Sequence, residues 1–303
     1  MFELPDIVDV VAAALAEDLG VAPSRLTDTS LTGPDLLELD VTTFSTVGID
    51  APFSGTIVAR EAGVVAGLPV AAAVFEMVSN AAGLFEPVEM FPLVAEGAHV
   101  EAGTAVAEVE GLAAAVLMGE RTALDFVMLL SGIATETARW VEAAGQELAV
   151  FDTRKTVPGL RSLSKYAVRV GGGSNHRTGL GDMVLVKDNH LRHVGITEAV
   201  RRARDLNPDL MIEVEADTRA QALEGVEAGA DVVMLDNMDD EVLSEAVREC
   251  RSAAAARGRA IVLEASGGIR VERLHAIAAI GVDRVSSSAL TLASPVDFGL
   301  DER

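Results

Sequence analysis

Basic residues are scarce in this chain. Its 303 residues carry 24 Lys plus Arg against 47 Asp plus Glu, a formal charge of −23, which argues against a protein that grips nucleic acid through a basic, counterion-displacing surface. Cysteine is rarer still. The single one, Cys250, cannot form an internal disulfide, and nothing else points to an oxidising compartment. Long apolar runs are also missing: the longest, AGVVAGLPVAAAVF from Ala62, ends after 14 residues, short of the roughly 20 that span a bilayer. MFELPDIVDV lacks the basic start of a signal peptide, so a soluble cytoplasmic protein is expected. Neither a G-x-S-x-G elbow nor a Walker loop occurs, and Cys250 falls in an expected surface helix, which disfavours covalent catalysis. No solenoid repeat or low-complexity linker interrupts the chain.

What is present is apolar material for a core. Half the residues are hydrophobic and 23% are charged, a globular composition. The length suggests two domains, although one α/β barrel could absorb much of it. Charge is distributed unevenly. Residues 1–118 hold 18 acidic and 2 basic side chains, whereas residues 151–193 hold eight bases (Arg154, Lys155, Arg161, Lys165, Arg169, Arg177, Lys187, Arg192) against three Asp. All three lysines lie in that second segment, with three of the five histidines. Glycines interrupt the bases and no helical face of alternating charge forms, so the segment reads as an anion site in an anionic molecule.

From about Leu148 onward, β-branched runs alternate with helical patterns. LAVF at 148, MVLV at 183, LMIEVE at 210, DVVML at 231, AIVLE at 260 and VDRVS at 282 read as buried parallel strands. TEAVRRARDL, TRAQALEGVEAG and DDEVLSEAVRECRSAAAARG read as the helices between them, with Thr218 as a cap and Gly229 and Gly258 as stops. Repeated βα units imply a parallel sheet, open or closed into a barrel. Before residue 118 the pattern differs. VVAAALAEDLG reads as a short amphipathic helix, DVTTFST and GTIVAREAGVVAG as strands, and EGAHVEAGTAVAEVEG as a small antiparallel hairpin. A helix from Glu120 to about Gly145 is expected to lead into the barrel.

Three acids, Glu215, Asp236 and Glu264, fall at the carboxyl ends of expected strands, the edge where α/β active sites form. Glu213 shares a strand face with Glu215. Carboxylates aimed at a barrel mouth suit Mg²⁺, which takes a few carboxylates and borrows phosphate oxygens from substrate; pairing with nearby Arg or Lys is the alternative. GGGSNHR from Gly171 and SGGI from Ser266 offer backbone N–H groups to an anion, and barrels build phosphate sites from the loops of their last two strands. Arg154, Lys155, His176, Arg177, Lys187 and Arg121 then remain for a second ligand. A molecule with at least two carboxylates matches that density.

These residues sit in segments that resemble a known family. TRKTVPGLRSLSKYAVRVGGGSNHRTGLGDMVLVKDNH, Thr153 to His190, is similar to the signature core of the quinolinate phosphoribosyltransferases, the decarboxylating nicotinate-nucleotide pyrophosphorylases. Further matches are EDLG at 17, LDVTT at 39, VAREAGVVAGL at 58, GERTAL at 119, SGIAT at 131, IEVE at 212, LDN at 235 and LEASGGI at 263. They cover nearly the whole chain in family order. The resemblance implies an N-terminal α/β sandwich domain (residues 1–118), an incomplete seven-stranded α/β barrel (119–285) and a C-terminal segment (286–303) returning to the first domain.

It further implies a homodimer in which Arg121 reaches the neighbouring active site. Quinolinate would meet Thr153, Arg154 and Lys155 of TRK, His176 and Arg177 of NHR, and Lys187 of KDNH. Phosphoribosyl pyrophosphate and Mg²⁺ would be held near Glu215 and Asp236, with the 5′-phosphate on Ser266, Gly267 and Gly268 and on Ser287, Ser288 and Ala289. Lys155, Lys187, Glu215 and Asp236 would carry the catalysis. The sequence also departs from the family pattern: Ser164 replaces an acidic residue, Asp125 an Asn, Ser288 a Gly and Leu292 a His, and an extra stretch runs from about Val21 to Leu36. Two other functions stay open at this point, a molybdenum-transport-associated paralogue of the family and a silent dicarboxylate- or nucleotide-binding protein.

Overall fold

The computed structural model describes residues 2–48 and 50–303. It divides into two compact units. One holds the residues up to Glu136 together with Val157–Gly171 and Leu292–Arg303; the other holds Thr137–Thr156 and Gly172–Thr291.

The first unit begins with α1 (Val8–Leu19), which buries Val11, Ala12, Leu15 and Ala16 and stops at Gly20, whose φ of 66° lets its N–H return to the Ala16 carbonyl. DVTTFST, expected as a strand from its β-branched residues, is instead the helix α2 (Val41–Thr46). Local capping overrides propensity there: the Asp40 carboxylate accepts from the Thr43 N–H at 3.0 Å and from the Thr43 hydroxyl at 2.5 Å, a cap of about 1 kcal/mol. Strands β1 (Pro52–Ala59) and β2 (Gly63–Val64) follow, then α3 (Leu68–Ala82), closed by Gly83. Beyond it come β3 (Glu89–Pro92), β4 (His99–Val100) and β5 (Ala105–Leu112).

The expected hairpin is absent. β4 pairs with β2, while β5 pairs with β1 and β3. The turn explains this: Gly103, at φ 88°, donates to the Ala59 carbonyl at 2.7 Å, and the Ala59 N–H returns to Thr104 O at 2.9 Å, so the chain docks on the end of β1. A long helix, α4 (Ala113–Ala144), starts seven residues earlier than the sequence suggested. Gly119 does not open it. A Cβ there would meet the Phe75 ring at 3.1 Å, so this glycine allows α3 and α4 to approach closely. α5 (Arg161–Val170) completes the helices of this unit.

The second unit is built on β6 (Ala149–Phe151), β7 (Val184–Val186), β8 (Ile212–Ala216), β9 (Val232–Asp236), β10 (Val262–Ser266) and β11 (Arg284–Ser286). All six pair in parallel, in the order β6-β11-β10-β9-β8-β7. Ser174 adds a single parallel bridge to Phe151 beyond β6. Taken in sequence, this is the cyclic order of an α/β barrel, with a seam left unpaired between Ser174 and β7 among the described residues. The crossovers run through α6 (Ile196–Leu206), α7 (Arg219–Ala228), α8 (Asp240–Ala256) and α9 (Leu274–Ile280). Thr218 caps α7 in a reciprocal box with Gln221. Ile212, Val214, Val232, Val233 and Leu263 are fully buried, as strands covered on both faces require. Emptying such a site, as in Leu263→Ala, costs about 2–5 kcal/mol.

Finally β12 (Phe298–Glu302) returns to the first unit and pairs antiparallel with β1, from Ala59↔Phe298 to Gly55↔Glu302. Arg303 donates to the Thr56 hydroxyl at 2.9 Å and bonds Glu108. The first unit's sheet therefore runs β12-β1-β5-β3.

Candidate active site

At the carboxyl ends of the parallel strands lies a cavity of about 420 Å³. Thr153, Arg154 and Lys155 enter it from the loop after β6, His176 and Arg177 from the edge segment, Lys187 from the end of β7, Glu215 from β8, Asp236 from β9, and Ser266, Gly267 and Gly268 from β10. The structure thus brings together the residues expected from TRK, NHR, KDNH and SGGI. Leu185 and Met234 supply an apolar wall.

The cationic side is held in place by neutral hydrogen bonds. Lys155 N–H donates to the Thr153 hydroxyl at 3.0 Å, and its carbonyl accepts the Thr291 hydroxyl at 2.7 Å. Burial, and the facing Arg154 guanidinium, lower the pKa of Arg177, while Asp182 and Glu213 oppose the shift. Two like charges held together in this way leave a slot suited to an anion. The buried Nε of Arg154 has no acceptor among the described residues, and a buried donor without a partner costs about 1–3 kcal/mol until something accepts from it.

On the acidic side, Lys187 Nζ bonds Glu215 Oε2. Asp236 is held above the usual carboxylate range, chiefly by burial, with Lys187 opposing the shift and Asp217 adding to it. A cation beside Asp236 would relieve that cost, and its hard oxygens match Mg²⁺. The next residue is Asn237, the one non-glycine with positive φ (55°) among the described residues; its side chain bonds Asp236 and its N–H donates to Ser266 O at 3.0 Å. Gly267 presses against this pair. At its φ of 79° a Cβ would stand 2.4 Å from Asn237 Oδ1 and 2.8 Å from Asp236 Oδ1, so only glycine fits.

Several expected residues stand elsewhere. Glu213 and Glu264, considered for metal or substrate contact, have no exposed surface. They pair with His176 and Arg284 beneath the pocket instead, because the alternation that turns Glu215 to the mouth places Glu213 one pleat deeper. Gly171–Gly173 do not line the cavity; the GGG run leads into the Ser174 bridge. Ser287, Ser288 and Ala289 follow β11 in a turn in which Ser287 N–H donates to Phe151 O at 3.1 Å, and the lining residue there is Ser286. Arg121 belongs to α4 in the first unit, 3.5 Å from Asp125.

Three contributors escaped the sequence reading. Asp152 is fully buried and accepts from Asn175 Nδ2 at 2.6 Å and from His176 N–H at 2.9 Å, so it ties the TRK loop to the NHR segment. Its position directly before TRK was the available signal. Asn237 was visible only as part of LDN, and Arg284 only as the charge inside VDRVS.

Comparison with known proteins gives the family. The family model for the quinolinate phosphoribosyl transferase N-terminal domain matches residues 40–131 and that for the C-terminal domain residues 133–301. The chain is 44% identical over 257 residues to a probable nicotinate-nucleotide pyrophosphorylase (carboxylating) of Synechocystis sp., covering 83% of this chain and 84% of that one. It is 40% identical over 266 residues to the nicotinate-nucleotide pyrophosphorylase (carboxylating) of Mycobacterium leprae, covering 87% and 91%. The solved nicotinate-nucleotide pyrophosphorylase of Ehrlichia chaffeensis superposes with a TM-score of 0.85 at 32% identity, covering 99% of both chains. The chain belongs to the quinolinate phosphoribosyltransferase family.

Proposed function

We propose that this pocket transfers the 5-phosphoribosyl group of phosphoribosyl pyrophosphate to the ring nitrogen of quinolinate, releasing pyrophosphate and, from the 2-carboxylate, CO₂, to give nicotinate mononucleotide for NAD biosynthesis. The observation that carries this reading is the convergence of Arg154, Lys155, Arg177 and Lys187 on one cavity of about 420 Å³, opposite Glu215 and Asp236.

Two polyanions must lie side by side for the transfer, and their repulsion has to be offset before any bond forms. Arg154 and Arg177 fork onto the quinolinate carboxylates, and Lys155 and Lys187 add mobile charge. Lys187 leaves Glu215 for substrate as the site fills. Ser266, Gly267 and Gly268, with Ser286 at the end of β11, take the 5′-phosphate. The transition state has oxocarbenium character, so holding the ring nitrogen in line with the anomeric carbon provides most of the acceleration. Once alkylated, the positive ring nitrogen stabilises the carbanion left as CO₂ departs, and that carbon takes up one proton. Glu215 and Asp236 are the residues that would hold Mg²⁺, which when bound neutralises the pyrophosphate leaving group. In the assembled enzyme, a cytoplasmic homodimer in this reading, Arg121 serves the neighbouring subunit's site.

Incubation with quinolinate, phosphoribosyl pyrophosphate and Mg²⁺ is expected to yield nicotinate mononucleotide. Lys155→Ala is expected to lose about 100-fold or more in kcat/KM with an unchanged thermal midpoint. Tight quinolinate binding without product would reject the reading in favour of a binding protein.

A further inference from the structure

At the pocket wall and beneath it lie four charged or titratable side chains, His176, Glu213, Glu264 and Arg284, that the reaction as described does not use directly. Glu213 on β8 and Glu264 on β10 are fully buried. His176 Nε2 stands 3.0 Å from Glu213 Oε2 and 3.8 Å from Glu264 Oε2. Arg284 on β11 places Nη2 3.3 Å from the same Glu213 oxygen and Nε against Glu264, and its guanidinium lies 4.9 Å from the Phe151 ring centroid. The ligand atoms of His176, Glu213 and Glu264 come within 4.8 Å of one another, a spacing that suits a metal ion, but the Arg284 guanidinium already stands against both carboxyl groups. The group is an ion cluster, and buried clusters of this kind stand only when their members balance one another.

His176 is the member that reaches the pocket. Nδ1 accepts the Arg177 backbone N–H at 2.8 Å, and Nε2 faces Glu213 at 3.0 Å. One continuous chain of contacts therefore joins three strands to the backbone of Arg177. We propose that Glu213, Glu264 and Arg284 are positioning residues that act through His176 to hold Arg177 against the dicarboxylate; the assignment rests on the reading of the pocket given above. His176 in this arrangement serves the dicarboxylate by fixing its neighbour. The phosphoribosyl half of the pocket, on β9 and the SGGI loop, meets the cluster away from Arg177, through Ser286, which bonds Glu264 and stands 3.2 Å from the Ser266 hydroxyl.

The test is calorimetric binding of quinolinate and, separately, of phosphoribosyl pyrophosphate with Mg²⁺ to four forms of the full protein: wild type, Glu213→Gln, His176→Ala and the double variant. Glu213→Gln keeps the shape and removes the charge. Its quinolinate Kd is expected to rise about 10-fold, the scale on which loss of an outer partner is felt, with the phosphoribosyl pyrophosphate Kd within about 2-fold of wild type. In the His176→Ala background the same substitution should cost nothing further. Equal losses for both ligands, or a full additional loss in the double variant, would overturn the assignment. If Glu213→Gln does not fold, the same cycle run with Glu264→Gln decides by the same criteria. A wild-type protein that binds no quinolinate at all would instead overturn the reading of the pocket, and the positioning role with it.

Discussion

Gly267 shows how tightly single residues are specified at this site. Its positive φ and the 2.4 Å approach of an added Cβ to Asn237 mean that Gly267→Ala must move either the loop or the Asp236–Asn237 pair. Adopting that φ costs an L-residue about 1–2 kcal/mol, and the displaced carboxylate should weaken binding of the phosphoribosyl donor. We expect the KM for phosphoribosyl pyrophosphate to rise more than that for quinolinate, which steady-state kinetics with each substrate varied in turn would measure; an unchanged donor KM would contradict the packing argument. Most of the pocket's charged residues were legible in the sequence because function concentrates rare types: in a chain with three lysines, two at one cavity is a strong signal. Asp152 was not. A buried carboxylate whose task is to accept backbone and amide N–H groups looks, in sequence, like any other Asp.

At the scale of elements, adjacent strand ends set the protonation of the buried cluster. Burial first, and then the facing Glu213 carboxylate on β8, push Glu264 up to about 7, opposed by Arg284 on β11, by His176 and by a bond from Ser286. A carboxyl whose pKa is higher in the folded than in the unfolded state is satisfied at low pH and loses stability as pH rises through the folded value. Wild type should therefore lose stability relative to Glu264→Gln between about pH 5 and pH 8, in thermal midpoints measured side by side; a constant gap across that range would contradict the assignment. The parallel strands and their helices were readable from β-branched runs and caps because each βα unit is locally consistent. DVTTFST and EGAHVEAGTAVAEVEG misled. The first has strand propensity overruled by the Asp40 cap, and the second has its partners chosen by a turn that docks on β1, a long-range choice that alternation does not encode.

At the scale of the whole molecule, a charge of −23 opposes compaction by self-repulsion, which salt screens within a Debye length that shrinks from about 10 Å at about 0.1 M to about 3 Å at about 1 M. The thermal midpoint should rise over that range of sodium chloride, whereas quinolinate affinity should fall as the same salt screens the cationic pocket. The two trends have opposite signs because the surface is anionic while the site is cationic. Among the described residues no helix is long and apolar enough to cross a membrane. The central claim is that four cations and two strand-end acids hold two anionic substrates in one cavity. A crystal structure with quinolinate bound tests it most directly. The account predicts the two carboxylates between Arg154 and Arg177, with Lys155 and Lys187 drawn toward them. Quinolinate bound elsewhere, with those four side chains turned to solvent, would contradict it.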